Sequence, residues 1–143
     1  MESAAKTAIS LKKGMSSKDP VFELCDRVRE LGFDAHRFLG PGHLEKVYEN
    51  ALVNRLRRAG IKVEQQHPMS VYDDDGTILG NYFADLFIED CLIAELKATR
   101  SVAPEHVSQI LGYLRASRIK DGLLINFGAP RFYIKKYVLE PLG

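Results

Sequence analysis

The chain changes its hydrophobic rhythm once, near Gly60, and that change constrains the fold more than any other feature. Before it, apolar residues recur at helical spacing; after it, they alternate or gather in short runs, as strands do. Asp19-Pro20 reads as a helix start, with Asp at the N-cap and Pro at the first helical position. Val21, Leu24, Cys25, Val28, Leu31 and Ala35 follow at helical spacing. Gly40-Pro41-Gly42 breaks the pattern. A second helix runs from about His43 to Ala59 on Leu44, Val47, Tyr48, Ala51, Leu52 and Leu56, and Gly60 stops it.

From Ile61 the pattern predicts strands. Ile61 to Gln66 alternates weakly, and Pro68 predicts an edge strand or an interruption. Met69 to Tyr72 leads into Asp73-Asp74-Asp75-Gly76, a turn signal, and the chain returns through Thr77 to Ile88. A turn at Glu89-Asp90 precedes a strand from Cys91 to Ala98. Pro104 to about Ser117 has Val107, Ile110, Leu111 and Leu114 on one helical face. Leu123 to Phe127 suits a buried strand, and Phe132 to Leu139 is a candidate last strand. The order α-α-β-β-β-α-β(-β) predicts a central mixed sheet flanked by helices, in the α/β (α+β) class.

With 143 residues, a single domain is expected. Residues 1–18, rich in Ala, Ser and Lys, read as a flexible extension, leaving 19–143 as the domain. No apolar run exceeds four residues, Cys91 to Ala94, so no membrane span is expected, and no apolar stretch near Met1 suggests a secretory signal. Cys25 and Cys91 have no partner at metal or disulfide-framework spacing, which makes the reducing cytoplasm the expected setting. Net charge is only +1, but it is unevenly spread. Residues 115–143 carry 6 Lys+Arg against 2 Asp+Glu, or +4, which leaves −3 for residues 1–114. Alone, that asymmetry is weak evidence for a nucleic-acid partner.

The chemistry centres on Asp85, Glu95 and Lys97. Glu95 and Lys97 alternate with Leu96, so they share one face of a strand whose apolar neighbours predict a central position. With a turn at Glu89-Asp90, Asp85 comes close to Glu95 across the hairpin. Two such carboxylates repel unless a proton or cation lies between them. A lone Glu-x-Lys triplet is most simply an ion pair at a sheet end. Asp85 with Glu95 and Lys97 supplies more: hard oxygen ligands for Mg²⁺ or Mn²⁺, and a cation that can orient a metal-bound water.

Glu45, at the border of the apolar stripe of the second helix, either reaches to water or leans over the sheet as a third ligand. Gln109 and Tyr113 are four apart on one helical face, with His106 three residues before; they are either a polar flank or an amide and a phenol that hold a phosphate or a lysine. Arg115, Arg118, Lys120, Arg131, Lys135 and Lys136, interleaved with Phe132, Tyr133 and Tyr137, suit a phosphate backbone and stacked bases; a solvated strand and turn explains them equally well.

Gly42-His43-Leu44-Glu45-Lys46-Val47-Tyr48, with Gly40-Pro41 before it and Ala84-Asp85, Glu95-Leu96-Lys97 and Gln109-x-x-x-Tyr113 after it, resembles the GxxExxY proteins, a branch of the PD-(D/E)-x-K nuclease superfamily. The resemblance covers about Asp19 to Leu139. It implies a restriction-endonuclease-like core of α-β-β-β-α-β order. It also implies metal binding by Glu45, Asp85 and Glu95, a water positioned by Lys97, and support of the site and phosphate from Gln109 and Tyr113. Ala84 stands where the superfamily name has Pro, a position that shapes backbone and carries no chemistry. The expected activity is Mg²⁺-dependent or Mn²⁺-dependent hydrolysis of phosphodiester bonds in DNA or RNA. A non-catalytic nucleic-acid-binding module and an assembly or structural module, including a homodimer, stay open as alternatives.

Overall fold

The computed structural model describes residues 19–140, and the extension at 1–18 lies outside them. Two helices come first, α1 (Pro20–Leu39) and α2 (Glu45–Arg58). They are followed by β1 (Val63–Tyr72), β2 (Ile78–Ile88), β3 (Leu92–Lys97), α3 (Pro104–Ser117), β4 (Asp121–Asn126) and β5 (Tyr133–Val138). Each expected element is present, and the candidate last strand is real. The second helix starts two residues later than its periodicity suggests, because the backbone is still turning at Gly40 (φ 71°) and Gly42 (φ 110°). Such angles favour glycine.

Local chemistry sets the boundaries. The Asp19 side chain accepts from the Val21 N–H at 2.9 Å and caps α1. Past α2, Gly60 takes φ 76°, and the Gly60 and Ile61 N–H groups close back on the Arg57 and Leu56 carbonyls at 3.0 and 2.9 Å. The β2–β3 hairpin turns on Glu89 and Asp90, both at positive φ (51° and 57°), with the Cys91 N–H donating to the Ile88 carbonyl. This is the type I′ geometry that matches strand twist, adopted here without glycine. Lys62 holds it: its N–H donates to Glu89 Oε2 at 2.6 Å and its ammonium meets Asp90 Oδ2 at 2.8 Å.

The five strands form one sheet in the order β1-β2-β3-β4-β5. Only β3 and β4 run parallel, and α3 makes the crossover that a parallel pair requires. Pro68 is tolerated because β1 is an edge strand, paired on one side only. The central position expected for the Glu95–Lys97 strand is what the sheet shows. Alternate side chains divide the core into two layers. Leu86, Ile88, Leu96, Leu123, Ile125 and Phe127 pack under α1 and α2 against Val28, Tyr48, Leu52 and Leu56. A smaller layer joins Phe87 and Ile93 to Ile110, Tyr113 and Leu114 of α3. Residues paired across strands share a face, so Lys97, Asn126 and Tyr133 stand in a row on the α3 side of the sheet.

Candidate active site

The β2–β3 ladder runs through Ile88↔Leu92, Phe87↔Ile93 and Leu86↔Ala94, and the next step would set Asp85 opposite Glu95. There the backbones part and the side chains take over the pairing. Glu95 Oε2 accepts from the Asp85 N–H at 2.9 Å, and Asp85 Oδ2 accepts from the Leu96 N–H at 2.8 Å. Each carboxylate is thus bound to the other strand's backbone, and the two are held side by side. The convergence expected from the hairpin is present, by a mechanism that hairpin geometry alone does not disclose.

Glu95 is only 2% exposed. Burial, followed by the charge of Asp85, pushes its carboxyl up to about 9, against weaker opposition from the Asp85 N–H and Lys97. Glu45, on the first turn of α2, is also raised, by desolvation first and by Asp85 second, with Lys97 opposing. Glu45 therefore feels the same field, although it stands back from the pair. Among the described residues, the one group of three acidic ligands within 4.8 Å is Asp73, Asp74 and Asp75, in the β1–β2 turn. Asp73 and Asp75 there accept from the Asp74 and Thr77 N–H groups, as turn residues commonly do.

Asp85 and Glu95, with Glu45 in the same field, offer hard carboxylate oxygens that fit a divalent cation, which would take the place of the proton that Glu95 otherwise retains. The Lys97 ammonium lies within electrostatic reach of Glu45 and Glu95 and makes no direct ion pair with a described carboxylate. The simple ion-pair account of Glu95-Leu96-Lys97 is therefore not the arrangement present. Gln109 Nε2 donates to the Tyr113 hydroxyl at 3.0 Å. Burial and then the Glu95 charge push that hydroxyl up to about 12, so it keeps its proton and can offer it to Glu95. Gln109 and Tyr113 thus form a bonded pair on α3, with the phenol in the field of the buried Glu95 carboxyl of β3. His106 acts locally, at the start of α3, where its Nδ1 accepts from the Ala103 N–H at 3.1 Å.

The sequence pattern left several members of the site unmarked. Glu49, 2% exposed, accepts from Lys46 Nζ (3.0 Å), Gln65 Nε2 (2.8 Å) and Gln66 Nε2 (3.2 Å). The Gln66 amide also reaches Asp85 Oδ1 at 3.2 Å, so it ties the buried carboxylate of α2 to the site. Glu49 stands one helical turn beyond Glu45 and three residues before Leu52, a spacing that marks the same inward face. Gln66 had no such signal. It reaches Asp85 because its φ is 54° and the β1–β2 ladder skips the Gln66/Asp85 step. Asn126, 1% exposed, accepts from the Thr99 and Gly128 N–H groups and donates to the Thr99 carbonyl.

The basic residues separate. Arg131 and Lys135 line a cleft at the start of α3 together with Arg100, which the sequence pattern does not single out. Arg115 and Arg118 lie around a second hollow at the far end of α3. Lys136 faces the opposite side of the sheet, 3.1 Å from Asp121 Oδ1 and 4.1 Å above the Phe22 ring.

A family model described as the PD-(D/E)XK nuclease superfamily matches residues 22–137. Among solved structures, the chain is similar to the one titled "Crystal structure of SSO0001", with a TM-score of 0.55 and 20% identity over 68% of this chain and 50% of that chain. That likeness is one of fold, and the chain spans about half the length of that protein. No curated protein matches the chain.

Proposed function

Because this chain belongs to the PD-(D/E)XK nuclease superfamily and has its restriction-endonuclease-like fold, we propose that it is a metal-dependent nuclease that hydrolyses phosphodiester bonds in DNA or RNA. The observation that carries this reading is the reciprocal locking of Asp85 and Glu95, with Glu95 pushed up to about 9 and the unpaired Lys97 ammonium on the same strand face. Without metal, the proton that Glu95 retains separates the two charges; a divalent cation that displaces this proton suits the same pair of carboxylates.

We also place the chain in the GxxExxY branch, since each letter of that motif has a physical role here. Gly42 takes φ 110°, Glu45 opens α2, and the Tyr48 hydroxyl donates to the Gly40 carbonyl while accepting from the His43 N–H. Residues 19–143 are taken as one nuclease-like domain. The free thiols of Cys25 and Cys91 suit a reducing, cytoplasmic setting. No helix among the described residues is long and apolar enough to cross a membrane.

In this reading Glu45, Asp85 and Glu95 hold a Mg²⁺ or Mn²⁺ ion. When bound, such an ion offsets phosphate charge and lowers the pKa of water toward neutrality. The protein does the rest. The backbone bonds at Asp85 and Leu96 fix the two central carboxylates before substrate arrives. Lys97 orients the attacking water or meets the negative charge that develops on phosphate. The Tyr113 hydroxyl, held by Gln109, steadies Glu95. The test is incubation of mixed DNA and RNA with Mg²⁺ or Mn²⁺, set against EDTA, for the native chain and Asp85→Asn. Metal-dependent cleavage that Asp85→Asn abolishes is expected. Native protein that cuts nothing with either metal overturns the reading in favour of a non-catalytic binder.

A further inference from the structure

We propose that the cleft between the start of α3 and strand β5 is a nucleotide subsite for single-stranded nucleic acid, with Arg100, Arg131 and Lys135 receiving phosphate and Tyr133 and Tyr137 receiving an unstacked base. Its place beside Lys97 rests on the nuclease reading, while its binding chemistry stands on separate observations.

Charge is the first. Arg100, Arg131 and Lys135 line this cleft, no carboxylate lines it, and none of the three is ion-paired to a described acidic residue. Elsewhere on this protein cations do find acids, as with Lys46 and Glu49, Lys62 and Asp90, and Lys136 and Asp121. Three uncompensated cations around one concavity focus a positive field inward and select an anion. The first turn of α3 adds to it. That helix is 14 residues long, and its positive end at Ala103-Pro104 forms one wall.

Shape and stacking surface come second. The cleft holds ≈ 560 Å³, inside the range of about 300–1,000 Å³ typical of small-ligand pockets. That suits one nucleotide and is too small for a duplex. Tyr133 and Tyr137 alternate with Ile134 and Lys136, and their register with Asn126 and Gly122 puts them on the α3 face of the sheet. Lys135, between them, lies 5.4 Å from the Tyr137 ring. Bases in a duplex bury their faces on one another, so a tyrosine can stack only on a base that is unpaired or splayed out. Recognition of phosphate and aromatic base together is the mode of single-strand binding.

Position is the third. Lys97 pairs with Asn126, and Asn126 pairs with Tyr133. All three share a face and Asn126 already lines the cleft, so the cleft begins one strand spacing, roughly 5 Å, from Lys97, with Tyr133 one spacing further. A strand whose nucleotide lies in the cleft can pass across the Asp85–Glu95 pair within a few nucleotides.

The experiment measures the anisotropy of labelled single-stranded and blunt duplex oligonucleotides, in EDTA so that nothing is cut, over a salt series. The native chain should prefer the single strand by about tenfold or more, the scale of one stacked base. Tyr133→Leu should remove about that factor from single-strand affinity and leave duplex affinity unchanged. Arg100→Gln with Arg131→Gln, both exposed and safe to replace, should weaken single-strand binding and flatten its log–log salt slope by about 1.4. Duplex bound as tightly as single strand by the native chain, or an unaltered slope in the double arginine variant, overturns the subsite. The two readings fail separately. Cleft-dependent binding by a native chain that never cuts would sink the nuclease and support the subsite. Cutting with cleft-independent binding would do the reverse.

Discussion

Glu95 shows how one residue can make the site and destabilise the fold. Its carboxyl titrates near 4.5 in the open chain and about 9 in the folded one, chiefly through burial and then through Asp85. A raised carboxyl pKa means that the folded state binds the proton more tightly, so metal-free stability falls as pH rises from about 4.5 to about 9. Replacing the charge should relieve this. Glu95→Gln in EDTA is expected to melt higher than the native chain at pH 8, with the gap closing toward pH 5. Mn²⁺ or Mg²⁺ should raise the melting temperature of the native chain and not that of Glu95→Gln. A calorimetric scan at both pH values with and without metal checks both statements. An equal metal response in the two proteins would dissociate Glu95 from the ion. For Lys97→Ala, cleavage should fall at least about a hundredfold, while affinity in EDTA and melting temperature move little, since the ammonium makes no direct ion pair. A large drop in melting temperature would make Lys97 structural.

Among the elements, the site depends on where strands separate and where loops touch. Gly128, just past β4, illustrates the second. A Cβ there would lie 2.3 Å from the Thr99 nitrogen and 2.4 Å from the Ala98 carbonyl carbon, both backbone atoms that cannot rotate away. This contact and the bonds from Asn126 to Thr99 and Gly128 clamp the β3–α3 connection to the β4–β5 turn. The two segments that carry Arg100 and Arg131 therefore keep one spacing. Gly128→Ala should cost about 2–3 kcal/mol by denaturant unfolding, at the upper end for overpacking, and should weaken single-strand binding even where the protein remains folded. A stability within about 0.5 kcal/mol of native, the range of ordinary surface changes, would show that the clamp yields.

Across the whole molecule, the net charge of +1 conceals two kinds of basic residue. Lys136 belongs to the fold: its side chain is 19% exposed, its partner Asp121 is 9% exposed, and the Phe22 ring of α1 lies against it. Lys136→Met should lower stability by about 3 kcal/mol because it leaves a nearly buried Asp121 unpaired, and should leave nucleic-acid affinity unchanged. Lys135→Met, one residue away on the other face, should weaken binding and spare stability. Comparing the two variants by unfolding and by anisotropy gives a direct test. The reverse pattern would put the phosphate path on the α1 side of the sheet.

The amino-acid sequence by itself determined the element order, the helix starts at Asp19-Pro20 and Pro104, the turns at Asp73–Gly76 and Glu89-Asp90, and the shared face of Glu95 and Lys97. Each follows from local chemistry or from a period of 2 or 3.6 residues, which a single chain carries in its own spacing. Tertiary structure alone decided the rest. Gln66 reaches Asp85 through a positive φ and a skipped ladder step, Glu49 finds three donors from two elements, and Lys135 and Lys136 part to opposite faces because β5 pairs with β4 in one register. Register and strand separation are long-range outcomes of packing, and a one-residue slip would exchange every face. That is why a basic run that looks continuous along the chain becomes, once folded, a cationic cleft on one side of the sheet and a buried ion pair on the other.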